Sequence, residues 1–162
     1  MHCDIKSLNF LVTENLHVKL SDLGEARSNE DLNISSSEAR ALPRNINWAA
    51  PELLRSDFSG VVNGQSDVWS LAMVLAEIFS GDVPFDSEHH RKLHIVDFLE
   101  QIRDGLRPEI SDSIKEAFPP IQDILHCSWA YEPGDRLSVD LLLKKMEEVL
   151  SRDGGIFRNN TQ

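Results

Sequence analysis

The sequence predicts a mainly α-helical domain that carries one small β-hairpin. The strongest helical segment is residues 65–80, which is apolar on nearly every face and therefore has to lie at the centre of its domain. A second segment, at about 91–104, is amphipathic and stops at Gly105. Two short apolar runs, 10–12 and 16–20, are separated by three polar residues, which is typical of a hairpin.

Composition limits the size and the partners of this domain. A chain of 162 residues with 41% hydrophobic residues is long enough for one domain with a real core. Its net charge of −11 argues against nucleic acid and anionic membranes as partners, and a basic peptide would fit better. No apolar run has the length of a membrane span. Cys3 and Cys127 lack metal-ligand or disulfide-framework spacing, and no leader-like segment begins the sequence, so we expect a reducing, cytoplasmic location.

The helices that follow the central one are predicted from apolar spacing and from caps. Pro119-Pro120 suits a first helical turn, and Ser138 is placed to cap a final helix. We expect a single domain over residues 1–151 and a polar tail over 152–162. The apolar residues expected to face the core are Ile95, Phe98, Leu99, Ile102, Ile121, Ile124, Leu125, Val139, Leu142, Leu143, Met146, Val149 and Leu150.

The chemistry is concentrated near the amino terminus. Asp4 is followed two residues later by Lys6 and five residues later by Asn9, and Asp22 stands beyond the predicted hairpin. Transfer of a γ-phosphoryl group requires a carboxylate for the proton of the acceptor hydroxyl, a cation near phosphate, and oxygen ligands for Mg²⁺. The hairpin would bring Asn9 and Asp22 into one site, although a plain edge hairpin without metal is the simpler alternative. Each short pattern alone arises by chance, and a loop Asp more often caps a turn.

Five segments, taken in order, resemble protein kinases. Residues 2–9 read H-C-D-I-K-S-L-N and 22–24 read D-L-G, which is similar to H-R-D-L-x-x-x-x-N followed by D-F-G. Cys3 and Leu23 depart from that pattern. Residues 47–52 resemble the W-x-A-P-E signature, and 66–77 resemble S-D-V-W-S-x-G-x-x-x-x-E, with Ala72 in place of Gly. Residues 129–138 resemble the C-W-x-x-D-P-x-x-R-P segment, with Glu132 and Leu137 as departures.

The resemblance implies a protein-kinase-like lower (C-terminal) lobe that is truncated at its start. The sequence contains no G-x-G-x-x-G and no strand of the Val-Ala-Ile-Lys type, which are upper-lobe elements. We therefore expect the upper lobe to be supplied from elsewhere. The two helices that usually precede the catalytic loop are missing as well, so we expect an exposed apolar flank.

The resemblance also implies catalytic roles for individual residues. Asp4 would be the general base and Lys6 the phosphate contact, while Asn9 and Asp22 would bind Mg²⁺. Leu11 would contact the adenine of ATP. In the family, the residue at the position of Leu11 packs on apolar side chains beneath it. Those side chains stand at the positions of Val74 and Ile78.

Four further residues are expected to be structural. By resemblance, Asp67 reaches back to backbone amides of the catalytic loop, although it could also serve only as a helix cap. Arg136 is expected to pair with Glu52 of the A-P-E signature in a buried, charge-assisted contact. His2 completes the structural set.

Residues 25–47 are polar and irregular, and by resemblance they form the activation segment. A serine cluster of this kind can also be plain solvated loop. Asn45 stands where serine/threonine kinases usually carry a Thr that touches the catalytic Asp and Lys, and an amide can hydrogen-bond there. The candidate phosphosites are Ser28, Ser35, Ser36 and Ser37.

Lys6, Trp48 and Trp129 resemble the tyrosine-kinase-like group of serine/threonine kinases. The implied function is transfer of the ATP γ-phosphoryl group to Ser or Thr of a protein substrate, once an upper lobe is present. The isolated chain is expected to be inactive, because that lobe clamps the nucleotide. The alternative is a non-catalytic, kinase-like regulatory or binding module that acts through its acidic surface and its uncovered groove, with a regulatory protein as its partner.

Overall fold

The computed structural model describes residues 1–28, 45–54 and 63–152. Its elements are strands β1 (Phe10–Val12) and β2 (Val18–Leu20) and helices α1 (Pro51–Leu54), α2 (Gly64–Ser80), α3 (Glu88–Arg91), α4 (Ile95–Arg103), α5 (Asp112–Ala117), α6 (Pro119–Ser128) and α7 (Val139–Arg152). The fold is therefore mainly helical with one hairpin, as the sequence predicts. Within the described ranges, no helix combines the length and the apolar content of a membrane span.

Helix α2 is the central element, as its apolar sequence predicts. Its first turn is capped by Asn63, whose Oδ1 accepts hydrogen bonds from the backbone of Gln65 (3.0 Å) and Ser66 (3.2 Å). It ends at Gly81, where φ is +79° and a residue without Cβ is favoured. Trp69 and Met73 are fully buried in the core. Helices α6 and α7 pack against α2, and α1 packs against α4.

The hairpin is confirmed, with a shorter second strand than predicted. β1 and β2 are antiparallel, with Phe10 opposite Leu20 and Val12 opposite Val18. Leu16 was expected to begin β2 but lies in the turn, with φ at +59°. Its backbone N–H donates to the carbonyl of Thr13, 2.9 Å away, which closes the turn before the second strand begins.

The prediction of one continuous helix over residues 91–104 is wrong. The segment contains the end of α3 and all of α4, because Lys92 and Leu93 donate to the carbonyls of His89 and His90 in a tight turn that ends α3. His94 is extended, and α4 begins after it. The predicted face of α4 is confirmed by the burial of Phe98 and Ile102.

Helix α7 buries a narrower stripe than the sequence predicts. Leu142 and Val149 are buried and Met146 is partly buried, a spacing of four and then three residues that keeps one face toward the core. Val139 and Leu143 were expected in the core but are exposed, because they lie beside that stripe. The predicted cap is confirmed, since the Leu141 N–H donates to Ser138 Oγ at 3.2 Å. The side chain of Leu150 and residues 153–162 lie outside the described part.

Along the rest of the predicted core, Ile121, Ile124 and Leu125 of α6 are buried as expected. Helix α6 begins at Pro119, in agreement with the double proline. The buried apolar residues form one main cluster around α2, α4 and α6 and a smaller one shared with α7. This packing fixes α2, and α2 in turn fixes the loop that carries Asp4.

Candidate active site

The predicted catalytic loop, residues 2–9, is held from below by Asp67 in the first turn of α2. Its two carboxylate oxygens accept the backbone N–H groups of His2 (2.7 Å) and Cys3 (2.9 Å). Cys3 has φ at +68°, a left-handed conformation that costs a residue with a Cβ roughly 1–2 kcal/mol. The two charge-assisted bonds offset that cost. Asp67 therefore reaches the catalytic loop as the sequence predicts, and it does more than cap a helix.

His2 anchors the same loop to the hairpin. Its ring is buried, and Nε2 lies 3.1 Å from the carbonyl oxygen of Ser21, which is an acceptor. The Ser21 N–H and Oγ both donate to the carbonyl of Asn9, at 2.8 and 2.9 Å. These contacts fix the end of β2 beside the residue that precedes β1. A structural role for His2 fits this arrangement.

Asp4, Lys6 and Asn9 converge on one carboxylate. Lys6 Nζ donates to Asp4 Oδ2 at 2.6 Å. Asn9 Nδ2 donates to the Asp4 carbonyl at 2.7 Å and lies 3.3 Å from Oδ2. The pair is partly buried, so the charges are less screened than on an open surface. The structure thus brings together the three residues that the sequence singles out as catalytic.

Asn45 completes the surroundings of this carboxylate. Its Nδ2 lies 3.3 Å from Asp4 Oδ1, the oxygen that Lys6 does not contact. The amide therefore fits the position at which the resemblance leads one to expect Thr. Both oxygens of Asp4 now have donors, which fixes the plane of the carboxylate.

Asn9 and Asp22 lie at the same end of the hairpin. Asn9 is buried and turns its amide nitrogen toward Asp4, which leaves Oδ1 as the atom that can bind a cation. Asp22 is exposed, has φ at +64°, and receives the Gly24 N–H at 3.4 Å. In the described residues, no group of three or more His, Cys, Asp or Glu side chains could hold a metal ion. An amide and a carboxylate oxygen still fit Mg²⁺, which commonly takes one or two protein ligands together with phosphate oxygens.

The side chains expected beneath an adenine are only partly packed. Val74 is buried, but Ile78 is 67% exposed and Leu11 is 54% exposed. The expected packing of Ile78 is therefore wrong for this chain, because nothing in the described residues covers that side of α2. Leu11 stands on β1 with its side chain open to solvent.

The ion pair between Glu52 and Arg136 is confirmed. Arg136 Nη1 and Nη2 donate to the two carboxylate oxygens of Glu52, each at 2.7 Å, across 84 positions of sequence. The Arg136 side chain is 0% exposed and that of Glu52 is 10% exposed. The guanidinium also stacks on Trp69, with Cζ 5.0 Å from the ring centroid. A bidentate pair of this kind ties the A-P-E segment to the loop before α7.

Sequence reasoning missed Glu77. Its carboxylate accepts Ser7 Oγ at 2.8 Å and Trp48 Nε1 at 3.0 Å, which joins the catalytic loop to the segment before α1. A signal was available, because Glu77 is a carboxylate within the apolar run of α2 and is the last residue of the 66–77 signature. A charged group in such a run has to be paired.

Of the four candidate phosphosites, the structure describes Ser28, which is exposed. Ser35, Ser36 and Ser37 lie outside the described residues. The whole segment 29–44 is likewise outside them, so the serine cluster stays a sequence prediction.

A protein-family model and several relatives match this chain. The family model described as protein tyrosine and serine/threonine kinase matches residues 1–146. The chain is 31% identical to the megakaryocyte-associated tyrosine-protein kinase of Rattus norvegicus over 95% of its length, and 33% identical to vascular endothelial growth factor receptor 3 of Danio rerio over 94%. It is 28% identical, over 93% of its length, to the dual specificity protein kinase shkD of Dictyostelium discoideum.

The chain spans only part of these relatives: 30% of the rat kinase, 10% of the zebrafish receptor and 18% of the Dictyostelium kinase. The matched family region nevertheless includes Asp4, Lys6, Asn9, Asp67 and Arg136, the residues whose contacts define the site. This chain therefore belongs to the protein tyrosine and serine/threonine kinase family.

Proposed function

We propose that this chain provides the catalytic loop of a protein serine/threonine kinase, which transfers the γ-phosphoryl group of ATP to Ser or Thr of a protein substrate. The proposal includes an upper lobe that clamps the nucleotide against this part. The observation that carries it is the Asp4 carboxylate, which is held at Oδ2 by Lys6 (2.6 Å) and at Oδ1 by Asn45 (3.3 Å). A carboxylate oriented by two donors at a loop surface is suited to receive a proton from a hydroxyl.

Each residue then has a distinct task. Asp4 orients the acceptor hydroxyl and takes its proton as the new bond from oxygen to phosphorus forms and the bond to the ADP oxygen breaks. Lys6 lies beside Asp4 and would neutralise negative charge on the transferred group.

Nucleotide and metal would lie on the hairpin side of Asp4. Asn9 and Asp22 are the proposed ligands of Mg²⁺, which supplies charge neutralisation at the β- and γ-phosphates when bound. Leu11 is proposed to contact the adenine, since its exposed side chain stands on β1 beyond Asn9. Contact with a flat apolar ring would cover a side chain that is otherwise open to water.

The choice of Ser or Thr over Tyr is the finer part of the proposal. It is supported by Lys6, Trp48 and Trp129, which resemble the tyrosine-kinase-like group of serine/threonine kinases. One relative is named a tyrosine-protein kinase and another a dual specificity protein kinase, so the acceptor has to be measured directly. The proposal also includes a cytoplasmic location and a basic protein substrate, which suits the net charge of −11.

The test is phosphate transfer by the chain joined to an upper lobe that carries a Gly-rich loop and a strand Lys. One basic peptide is prepared in three forms, with Ser, Thr or Tyr as its acceptor. We expect labelling of the Ser and Thr forms.

Asp4→Asn should abolish turnover while leaving Mg-ATP binding nearly unchanged, because Asp4 acts on the acceptor. Asp22→Asn should weaken both, because it reaches the nucleotide through the metal.

The control is Glu147→Gln, an exposed acid on α7 that should change neither readout. Labelling of the Tyr form alone would overturn the proposed acceptor. A joined protein that binds Mg-ATP but labels none of the peptides would favour the non-catalytic, kinase-like module that binds a regulatory protein.

A further inference from the structure

The carboxylate of Glu77 links the predicted catalytic loop to the segment preceding α1. One oxygen accepts Ser7 Oγ at 2.8 Å, and the other accepts Trp48 Nε1 at 3.0 Å. All three side chains are partly buried, so water competes weakly for these bonds. Glu77 is also near the end of α2, which is the most buried helix of the domain and therefore a rigid support.

Each of the two donor residues, Ser7 and Trp48, is directly connected to a residue that contacts Asp4. Ser7 follows Lys6, whose Nζ is 2.6 Å from Asp4 Oδ2. On the other side, the Trp48 N–H donates to the carbonyl of Asn45 at 3.3 Å.

Asn45 Nδ2 in turn lies 3.3 Å from Asp4 Oδ1. The contacts therefore form a closed ring: from Glu77 through Ser7 and Lys6 to one oxygen of Asp4, and from Glu77 through Trp48 and Asn45 to the other.

We infer that Glu77 is a positioning residue for the phosphoryl-transfer site, which fixes the orientation of the Asp4 carboxylate through both arms of this ring. The inference rests on the proposed function for its catalytic meaning. A carboxylate suits the task because its two oxygens can accept both donors at once, whereas an amide oxygen has an N–H₂ group as its neighbour. Loss of either arm would let the Asp4 plane rotate relative to the acceptor hydroxyl.

The first experiment needs no activity. The full chain is labelled with ¹⁵N, and the indole and side-chain amide resonances are followed by NMR. In the described residues, Trp48 Nε1 has a bonded acceptor, whereas Trp69 and Trp129 Nε1 are buried without one, so the three indole signals should be distinct. Trp48→Phe and Asn45→Ala assign the two reporter signals by their loss.

We expect Glu77→Gln to shift the Trp48 indole and the Asn45 side-chain amide together, although Asn45 does not touch residue 77. The shape-matched substitution is chosen so that the domain stays folded, and unchanged Trp69 and Trp129 signals verify this. Trp48→Phe should likewise move the Asn45 amide, while the exposed Glu147→Gln should move neither. A shift of Trp48 that leaves Asn45 in place would overturn the inference, because the ring would then not transmit the change to Asp4.

The second experiment uses the chain joined to an upper lobe. We expect Glu77→Gln to lower kcat at least tenfold with the KM for ATP changed less than twofold, because the proposed metal ligands Asn9 and Asp22 and the proposed adenine contact Leu11 lie outside the ring. Glu77→Asp should recover part of kcat, since it keeps a carboxylate. Equal loss in kcat and in nucleotide affinity would indicate general unfolding and overturn the positioning role. A wild-type protein that is inert but shows coupled NMR shifts would refute the proposed function and leave the ring in place.

Discussion

At the residue scale, burial decides which ion pairs matter. Lys92, just after α3, and Glu88, its first residue, form an exposed pair, and such pairs contribute about 0–1 kcal/mol. Arg136 is different, because its side chain is 0% exposed and donates to the carbonyl oxygens of Ala130 and Gln65 as well as to Glu52. All its donors are satisfied inside the protein, and removal of one partner leaves a desolvated charge.

Glu52→Ala or Arg136→Ala is therefore expected to lower the free energy of unfolding by about 3–5 kcal/mol, the typical loss when one partner of a buried pair is removed. Removal of Glu88 from its exposed pair should cost at most about 1 kcal/mol. Denaturant midpoints for both single mutants and for the double mutant provide the measurement. Strictly additive losses would show that Glu52 and Arg136 do not interact in solution.

The sequence could predict these two residues because the family pattern pairs them at a distance. It also correctly placed Asp67 against the catalytic loop. The sequence could suggest that Asn45 contacts Asp4 but could not establish it. The contact depends on the distance between the two side chains, which tertiary packing determines. Glu77 was missed because its partners, Ser7 and Trp48, belong to two other segments with no periodic relation to α2.

At the scale of elements, one side chain joins the ends of two helices. Arg107, in the loop after α4, donates from Nη1 to the carbonyl of Ile102 (2.7 Å) and from Nε and Nη2 to that of Trp129 (3.0 and 2.6 Å). Its Cζ also lies 4.9 Å from the centroid of Trp69. Burial, with a smaller contribution from the positive charge of Arg136, lowers the pKa of Arg107 to about 10. It remains a cation at neutral pH and satisfies the last carbonyls of α4 and α6.

Arg107→Lys is expected to lower the free energy of unfolding by about 1–3 kcal/mol, because an ammonium cannot reach both helix ends as the planar guanidinium does. Arg103→Lys, on the exposed last turn of α4, is the matched control and should change stability by less than about 0.5 kcal/mol. Thermal unfolding of the two variants checks this. Equal effects would mean that the fork geometry of Arg107 contributes nothing.

Element boundaries show where sequence periodicity stops being informative. The start of α6 was predictable because Pro119 fixes it locally. The break between α3 and α4 was not, since residues 91–95 contain no Gly or Pro that would mark it. Val139 and Leu143 are exposed because α7 carries more apolar side chains than the neighbouring helices cover.

At the scale of the whole molecule, burial is uneven. The core around α2, α4 and α6 is closed, whereas the amino-terminal 28 residues carry many exposed large apolar side chains. This matches the apolar flank that the kinase resemblance predicts. The exposed large apolar residues of this part are Leu8, Leu11, Val12, Leu16, Val18, Leu20 and Leu23. Ile78 of α2 is exposed as well.

Helix α2 reaches from the closed core to this open surface. Met73 and Ile78 both belong to α2, but Met73 is fully buried and Ile78 is 67% exposed. Met73→Ala should lower the free energy of unfolding by about 2–5 kcal/mol, because it removes packed atoms and leaves a cavity. Ile78→Ser should change it by less than about 0.5 kcal/mol. The same Ile78→Ser change, combined with Leu8→Ser, should reduce binding of a hydrophobic fluorescent dye to the native chain, since it removes accessible apolar surface. Denaturant unfolding and dye titration measure the two effects, and a large loss of stability in Ile78→Ser would show that this face is covered in solution.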